Sequence, residues 1–282
     1  MLKIIKALRF QESVLMTGFF LIGAVFSIKH ISVTALQKLI LIGLSCFFLI
    51  FSVYAFNAFF GRDHDKKNKR LSSLLYLKHT HFLIYALLFL CFSVLLSAWL
   101  GWKYCLTLIA IECIGLLYSM PVFGMKHYPF AGTILHFIAV FIIFNMVSSV
   151  FAPHSLSILL FSVYFSLCLA GGHLHHEVID YEDDKRAGFR TGAVFLGINK
   201  TLYLSFFMFF SGAILLAILP FFDQTENIVA IIFLVGFIVQ TVFFIYYKDK
   251  MPDNFSSRIA YRKIYRIIFC IACLIVAIIN FR

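Results

Sequence analysis

The chain has 282 residues, 62% of them hydrophobic and only 13% charged, with a mean hydropathy of +0.96. So little polar surface cannot coat a water-soluble globule, which excludes a soluble enzyme and makes lipid the main solvent. The formal charge of +11 is not organised as a basic stripe interleaved with aromatics, so no nucleic-acid partner is expected; anionic lipid headgroups or an anionic substrate suit it better.

A hydrocarbon core about 30 Å thick needs about 20 apolar residues per helix, and nine stretches approach that length. In chain order they are 13–28, 38–60, 81–100, 103–121, 130–151, 155–178, 200–221, 227–247 and 263–281. Phe, Leu and Ile fill them without a strand-like alternation, so an all-α, polytopic transmembrane bundle of about nine helices is expected. The first stretch follows Lys3, Lys6 and Arg9 as a signal peptide would, but no small-x-small cleavage site precedes Lys29, so it reads as a retained helix.

Short loops rich in Lys and Arg stay cytosolic. With the N-terminus inside, twenty of the 24 basic residues fall on the inner side and only Lys29, Lys38, Lys103 and Arg282 on the outer. The expected topology is therefore nine spans with a cytosolic N-terminus, in a bacterial-type inner membrane or its equivalent. All seven cysteines lie inside apolar spans, where packing explains them better than redox or metal chemistry.

Two polar clusters interrupt this pattern. After the second span the chain reads Asn57-Ala-Phe-Phe-Gly61-Arg62-Asp63-His64-Asp65 and continues through Lys66, Lys67, Lys69 and Arg70. After the sixth it reads His173-Leu-His175-His176-Glu177-Val-Ile-Asp180-Tyr-Glu182-Asp183-Asp184-Lys185-Arg186-Ala-Gly188. Positions 57, 61 and 65 recur at 176, 180 and 184 with one constant offset of 119, which suggests one transmembrane domain, 1–282, built as a pseudo-repeat of helices 1–4 and 5–8 plus a ninth.

Residues three or four apart share a helix face. Asn57 and Asp65 thus form one stripe, and Glu177, Asp180 and Asp184 another. Both follow even-numbered spans, so both belong to the cytosolic side and can face each other across a bundle. Carboxylates about 5 Å apart at an effective dielectric of about 20 repel by about 3 kcal/mol per pair. A divalent cation removes that cost, and carboxylate and amide oxygens suit Mg²⁺ shared with phosphate. The plainer reading is that both runs are solvated charges flanking helices.

At these residues the chain resembles the UbiA-type superfamily of intramembrane prenyltransferases, nine-helix proteins whose two Asp-rich motifs bind the Mg²⁺-diphosphate of an isoprenoid donor. Against the family's Asn-Asp-x-x-Asp-x-x-x-Asp, Asn57 and Asp65 match, whereas Ala58 and Gly61 replace the first and middle Asp. Asp180-x-x-x-Asp184-x-x-x-Gly188-x-x-Thr191, running on to Leu196-Gly197, is similar to the second motif. Tyr118-Ser119-x-Pro121 with Lys126 resembles a further element whose lysine contacts diphosphate, and Arg9 resembles a basic residue that opens the first helix.

The resemblance implies a Mg²⁺-dependent prenyltransferase that moves a polyprenyl group from an allylic diphosphate to an aromatic or other lipid-soluble acceptor at a cytosol-facing site. Metal binding is expected from Asn57, Asp65, Glu177, Asp180 and Asp184, with Asp63 joining them if the helix unwinds after Gly61. Diphosphate binding is expected from Lys126 and Arg190, with Arg62, Lys185 and Arg9 as further candidates; Asp180, Asp184 and Lys126 would carry the catalysis. Gly61 leaves open a terpene-cyclase-like ionisation without an acceptor, or a non-catalytic lipid-binding protein of the same fold.

Two features stand apart from the motifs. Glu112, an acidic residue deep in the fourth span, is costly in hydrocarbon and marks a functional or paired group. His136 lies at similar depth on the next span, so the two are expected to pair or, with Tyr118, to line an acceptor pocket. His173, His175 and His176 invite comparison with membrane di-iron oxygenases, but neither HxxxH nor HxxHH spacing occurs.

Overall fold

A computed structural model describes residues 10–28, 30–65, 78–125, 128–221 and 227–280. The helices are α1 (Phe10–Ser27), α2 (Val33–Asp65), α3 (His79–Ala98), α4 (Trp102–Ser119), α5 (Ala131–Ser149), α6 (Leu156–Ala187), the short α7 (Gly192–Leu196), α8 (Ile198–Ile218), α9 (Asn227–Tyr247) and α10 (Phe255–Asn280). Eight of them are long and apolar enough to cross a bilayer, and α1 is a shorter apolar helix. The described residues are thus those of a multi-pass, all-helical membrane protein, with each expected span on a helix of its own.

Two helices run past the expected ends. At about 1.5 Å per residue, α2 with 33 residues and α6 with 32 are each close to 50 Å long, well beyond the hydrocarbon core. Residues 57–65 and 173–187 of the polar clusters therefore sit on continuous helix rather than in loops.

The chain divides into two units, Met1–Lys126 with Ile142–Ala152, and His127–Phe141 with Pro153–Arg282. In the first, α2 packs on α1, α3 and α4, and α3 packs on α4. Lipid tails are as apolar as the helices, so close backbone approach and buried hydroxyls must hold such pairs together. A Cβ on Gly23 would lie 2.8 Å from the Phe144 carbonyl oxygen, and the Ser148 hydroxyl donates to the Gly23 carbonyl at 3.0 Å. Ser93 likewise donates to the Ser45 carbonyl, linking α3 to α2 at 2.8 Å.

In the second unit α8 lies along α6, α9 packs on α8 and α10, α10 on α6, and α7 bridges α6 and α8. Gly171 brings α6 and α8 together: a Cβ there would sit 2.9 Å from the Ser205 carbonyl oxygen, and Ser205 donates its hydroxyl to Gly171 O at 2.7 Å. Tyr164, Phe165, Phe209, Phe233 and Phe269 fill the space between these helices with edge-on and tilted ring contacts.

Candidate functional site

The second polar cluster is built on the last turns of α6. Glu177, Asp180 and Asp184 keep helical spacing up to Ala187, where Gly188 ends the helix with φ of 81°. That left-handed conformation is one glycine adopts without strain. Thr191 then caps α7 by accepting from Val194 N–H. The segment from Gly188 to Leu196, matched to the second motif, is thus a capped turn that carries Arg190 to the surface.

Glu177 ties this turn to the helix. It is only 8% exposed; its Oε2 accepts from Ala193 N–H at 3.1 Å, and its Oε1 lies 3.5 Å from His173 Nδ1. Gly192 has no room for a side chain, since a Cβ would meet Glu177 Oε2 at 2.9 Å and the Phe130 ring at 3.0 Å. Phe130 itself has φ of 66°, a strained conformation for a bulky residue of the kind that clusters at functional sites. Its ring also meets Phe195 edge-on.

Asp180 and Asp184 follow Glu177 at intervals of three and four residues, both half-buried. Asp180 Oδ2 lies 3.6 Å from His176 Nε2, and His176 Nδ1 accepts from Arg262 Nη1 of α10 at 3.1 Å. Lys185 is exposed beside the Tyr181 ring, and Arg186 pairs with Asp183. Among the described residues no three His, Cys, Asp or Glu side chains converge as a metal cage. The donor chemistry of Asp180 and Asp184 fits Mg²⁺, which keeps waters and is commonly held by one or two carboxylates plus phosphate oxygens.

The first cluster lies at the end of α2. Asn57 is half-buried and Gly61 buried within helix that continues unbroken to Asp65. The backbone does not unwind between Gly61 and Asp65. The side chains of Arg62, Asp63 and Asp65 fall outside the described ones, as do Arg9 and Lys126 altogether. His79, which opens α3, donates from Nε2 to Phe59 O at 2.7 Å and stacks on the Phe59 ring at 4.2 Å.

Glu112 and His136 each have a partner within their own unit. Glu112, 2% exposed, bonds through Oε1 to the Ser52 hydroxyl at 3.0 Å. His136 donates from Nδ1 to the Gly132 carbonyl at 2.8 Å and stacks on His173 with ring centres 4.1 Å apart. Each contact is local to its own helix neighbourhood, which similar depth in the sequence does not reveal, and among the described residues Glu112 Oε2 is buried without a hydrogen-bond partner. Tyr118 is half-buried near the end of α4.

Several residues escaped the sequence reading. Arg258 is 6% exposed and donates to three carbonyls, those of Met251, Pro252 and Val178, so its charge locks the turn before α10 onto α6. His175, fully buried, donates from Nε2 to Arg258 O at 2.9 Å and lies edge-on to Tyr261. In the sequence Arg258 is one more basic residue of the inner side, and nothing local distinguishes it from its basic neighbours.

Residues 16–278 match the model of the UbiA prenyltransferase family. No curated protein sequence matches the chain. Among solved structures, a UbiA homolog from Archaeoglobus fulgidus bound to GPP and Mg²⁺ is similar at 21% identity and a TM-score of 0.77, over 98% of this chain and 99% of that one. A digeranylgeranylglyceryl phosphate synthase is similar at 18% identity and 0.66, over 99% and 98%. An apo UbiA homolog from Aeropyrum pernix K1 is similar at 17% and 0.67, over 93% and 98%. These structures share the helical fold, and the family model runs through nearly all of the sequence: the chain belongs to the UbiA prenyltransferase family.

Proposed function

We propose that the protein is a Mg²⁺-dependent prenyltransferase, moving a polyprenyl group from an allylic diphosphate to an aromatic or other lipid-soluble acceptor within the membrane. The observation that carries this reading is the intact α6 half of the site: Asp180 and Asp184 one turn apart, followed by the capped turn that presents Arg190. The solved homolog bound to GPP and Mg²⁺ supports the choice of donor and metal.

In this reading Asp180, Asp184, Asn57 and Asp65 hold Mg²⁺, while Lys126 and Arg190 bind the diphosphate, with Arg62, Lys185 and Arg9 as further candidates. Bound Mg²⁺ supplies Lewis-acid stabilisation of charge on a diphosphate leaving group. The protein's own share is to position the donor, to set cationic side chains where the leaving group gains charge, and to exclude water from the reacting carbon. Glu177 anchors the Arg190 turn through its bond from Ala193 N–H. The distribution of basic residues supports a site facing the cytosol by the charge rule.

Membranes containing the protein, incubated with a labelled allylic diphosphate and candidate acceptors, should yield a prenylated product and free diphosphate. Asp180→Asn and Asp184→Asn should abolish both. Product formed from the donor alone would instead identify a cyclase-like member, and undiminished transfer by either variant would remove the assignment.

A further inference from the structure

We propose that Arg262 and His176 form a relay that positions Asp180 for metal binding, with His176 acting as a fixed hydrogen-bond donor to its carboxylate. The proposal rests on Asp180 being a Mg²⁺ ligand. Its argument begins with what each group can do chemically. A guanidinium has only donors, so the 3.1 Å contact from Arg262 Nη1 to His176 Nδ1 requires a lone pair on Nδ1. The neutral ring then carries its single hydrogen on Nε2, the nitrogen that lies 3.6 Å from Asp180 Oδ2. A doubly protonated ring would set an N–H of its own against the Arg262 donor.

The tautomer is thereby chosen from α10, a helix 86 residues away in the chain, and the choice aims N–H at the carboxylate. At 3.6 Å the contact is longer than a hydrogen bond, and an approach of about 0.5 Å converts it into one. A carboxylate that accepts such a bond on one oxygen is held in one orientation, which would leave its other oxygen available to a metal ion. Partners of this kind typically matter by about 10- to 100-fold in metal affinity. His176 and Arg262 thus act through Asp180 and need not touch the substrate.

The test uses the full-length protein in nanodiscs with Mn²⁺ as the probe and inorganic pyrophosphate present, binding being read by electron paramagnetic resonance without turnover. His176→Ala should weaken Mn²⁺ binding about 10- to 100-fold. His176→Gln puts an amide nitrogen near the imidazole Nε2 position and should recover most of the loss, whereas His176→Asn reaches only the Nδ1 position and should not. Arg262→Lys, still donor-only, should bind Mn²⁺ nearly as the wild type does, and Arg262→Ala should bind less well. Adding Arg262→Ala to His176→Ala should cost nothing more.

Wild-type Mn²⁺ binding in both His176→Ala and His176→Asn, with binding lost in Asp180→Asn, would overturn the relay while leaving the proposed function standing. Wild-type binding in Asp180→Asn would overturn both, because the relay would then have no ligand to position. Should His176→Ala fail to fold, the contrast between His176→Gln and His176→Asn decides the matter alone, equal affinity in the two refuting the proposal.

Discussion

Truncating Glu177 separates an anchoring role from a ligand role. Its Oε2 accepts from Ala193 N–H at 3.1 Å, in the first turn of α7, where backbone N–H groups have no helical partner. Ala193 is fully buried. Glu177→Ala leaves that buried donor unpaired, at a cost of about 1–3 kcal/mol. At about 1.4 kcal/mol per tenfold, the docked turn becomes roughly 5- to 150-fold less favoured against its undocked forms. Apparent affinity falls with the competent fraction. The KM for the allylic diphosphate should therefore rise by up to about 100-fold, with kcat at saturation little changed. Glu177→Gln keeps an oxygen to accept from Ala193 and should stay within about 1 kcal/mol of wild type. Hydrogen exchange across residues 189–196, measured beside the steady-state constants, should rise in the alanine variant and not in the glutamine one. Equal impairment of the two variants, together with weakened Mn²⁺ binding in both, would show that Glu177 ligates metal and refute the anchoring argument.

Arg258→Ala removes the donors of three carbonyls at once and should destabilise the protein by about 3 kcal/mol or more, read as a lowered thermal midpoint in detergent. Arg258→Lys should recover only part, since a single ammonium cannot reproduce the guanidinium fork. Gly171→Ala drives a Cβ to 2.9 Å from a backbone oxygen that cannot swing aside and should cost about 1–3 kcal/mol. Gly172→Ala is its control, because the new Cβ would meet Tyr265 Oη at an ordinary 3.7 Å, and the same melting measurement should find it close to wild type.

Most of the membrane architecture was legible because a lipid solvent leaves so few solutions. A stretch such as 227–247 can only be a helix there, and the structure gives Asn227–Tyr247. The ends were harder to read. Hydropathy falls at His173, which sets the expected end of the sixth span at 178, yet α6 runs on to Ala187, where Gly188 caps it. The five-residue α7 carries no periodic signal; its trace in the sequence is Gly188 and Thr191, a helix stop followed by a cap.

The site was half legible for a related reason. Asp180 and Asp184 announce themselves by spacing, and the structure keeps that spacing on one helix. The partners that orient them do not, since Arg262 reaches His176 across 86 residues and looks in the sequence like one more positive-inside charge. Glu112 and His136 show the same limit: depth in the sequence does not reveal Ser52, Gly132 and His173 as contacts of these residues.

The central claim, that the α6 stripe holds the Mg²⁺-diphosphate of an allylic donor, is tested most directly by binding a non-hydrolysable allylic diphosphate analogue to the purified protein. Calorimetry with and without Mg²⁺, on wild type and on Asp180→Asn/Asp184→Asn, should show binding that requires Mg²⁺ and is lost in the double variant. Binding that ignores Mg²⁺, or that survives in the double variant, would contradict it.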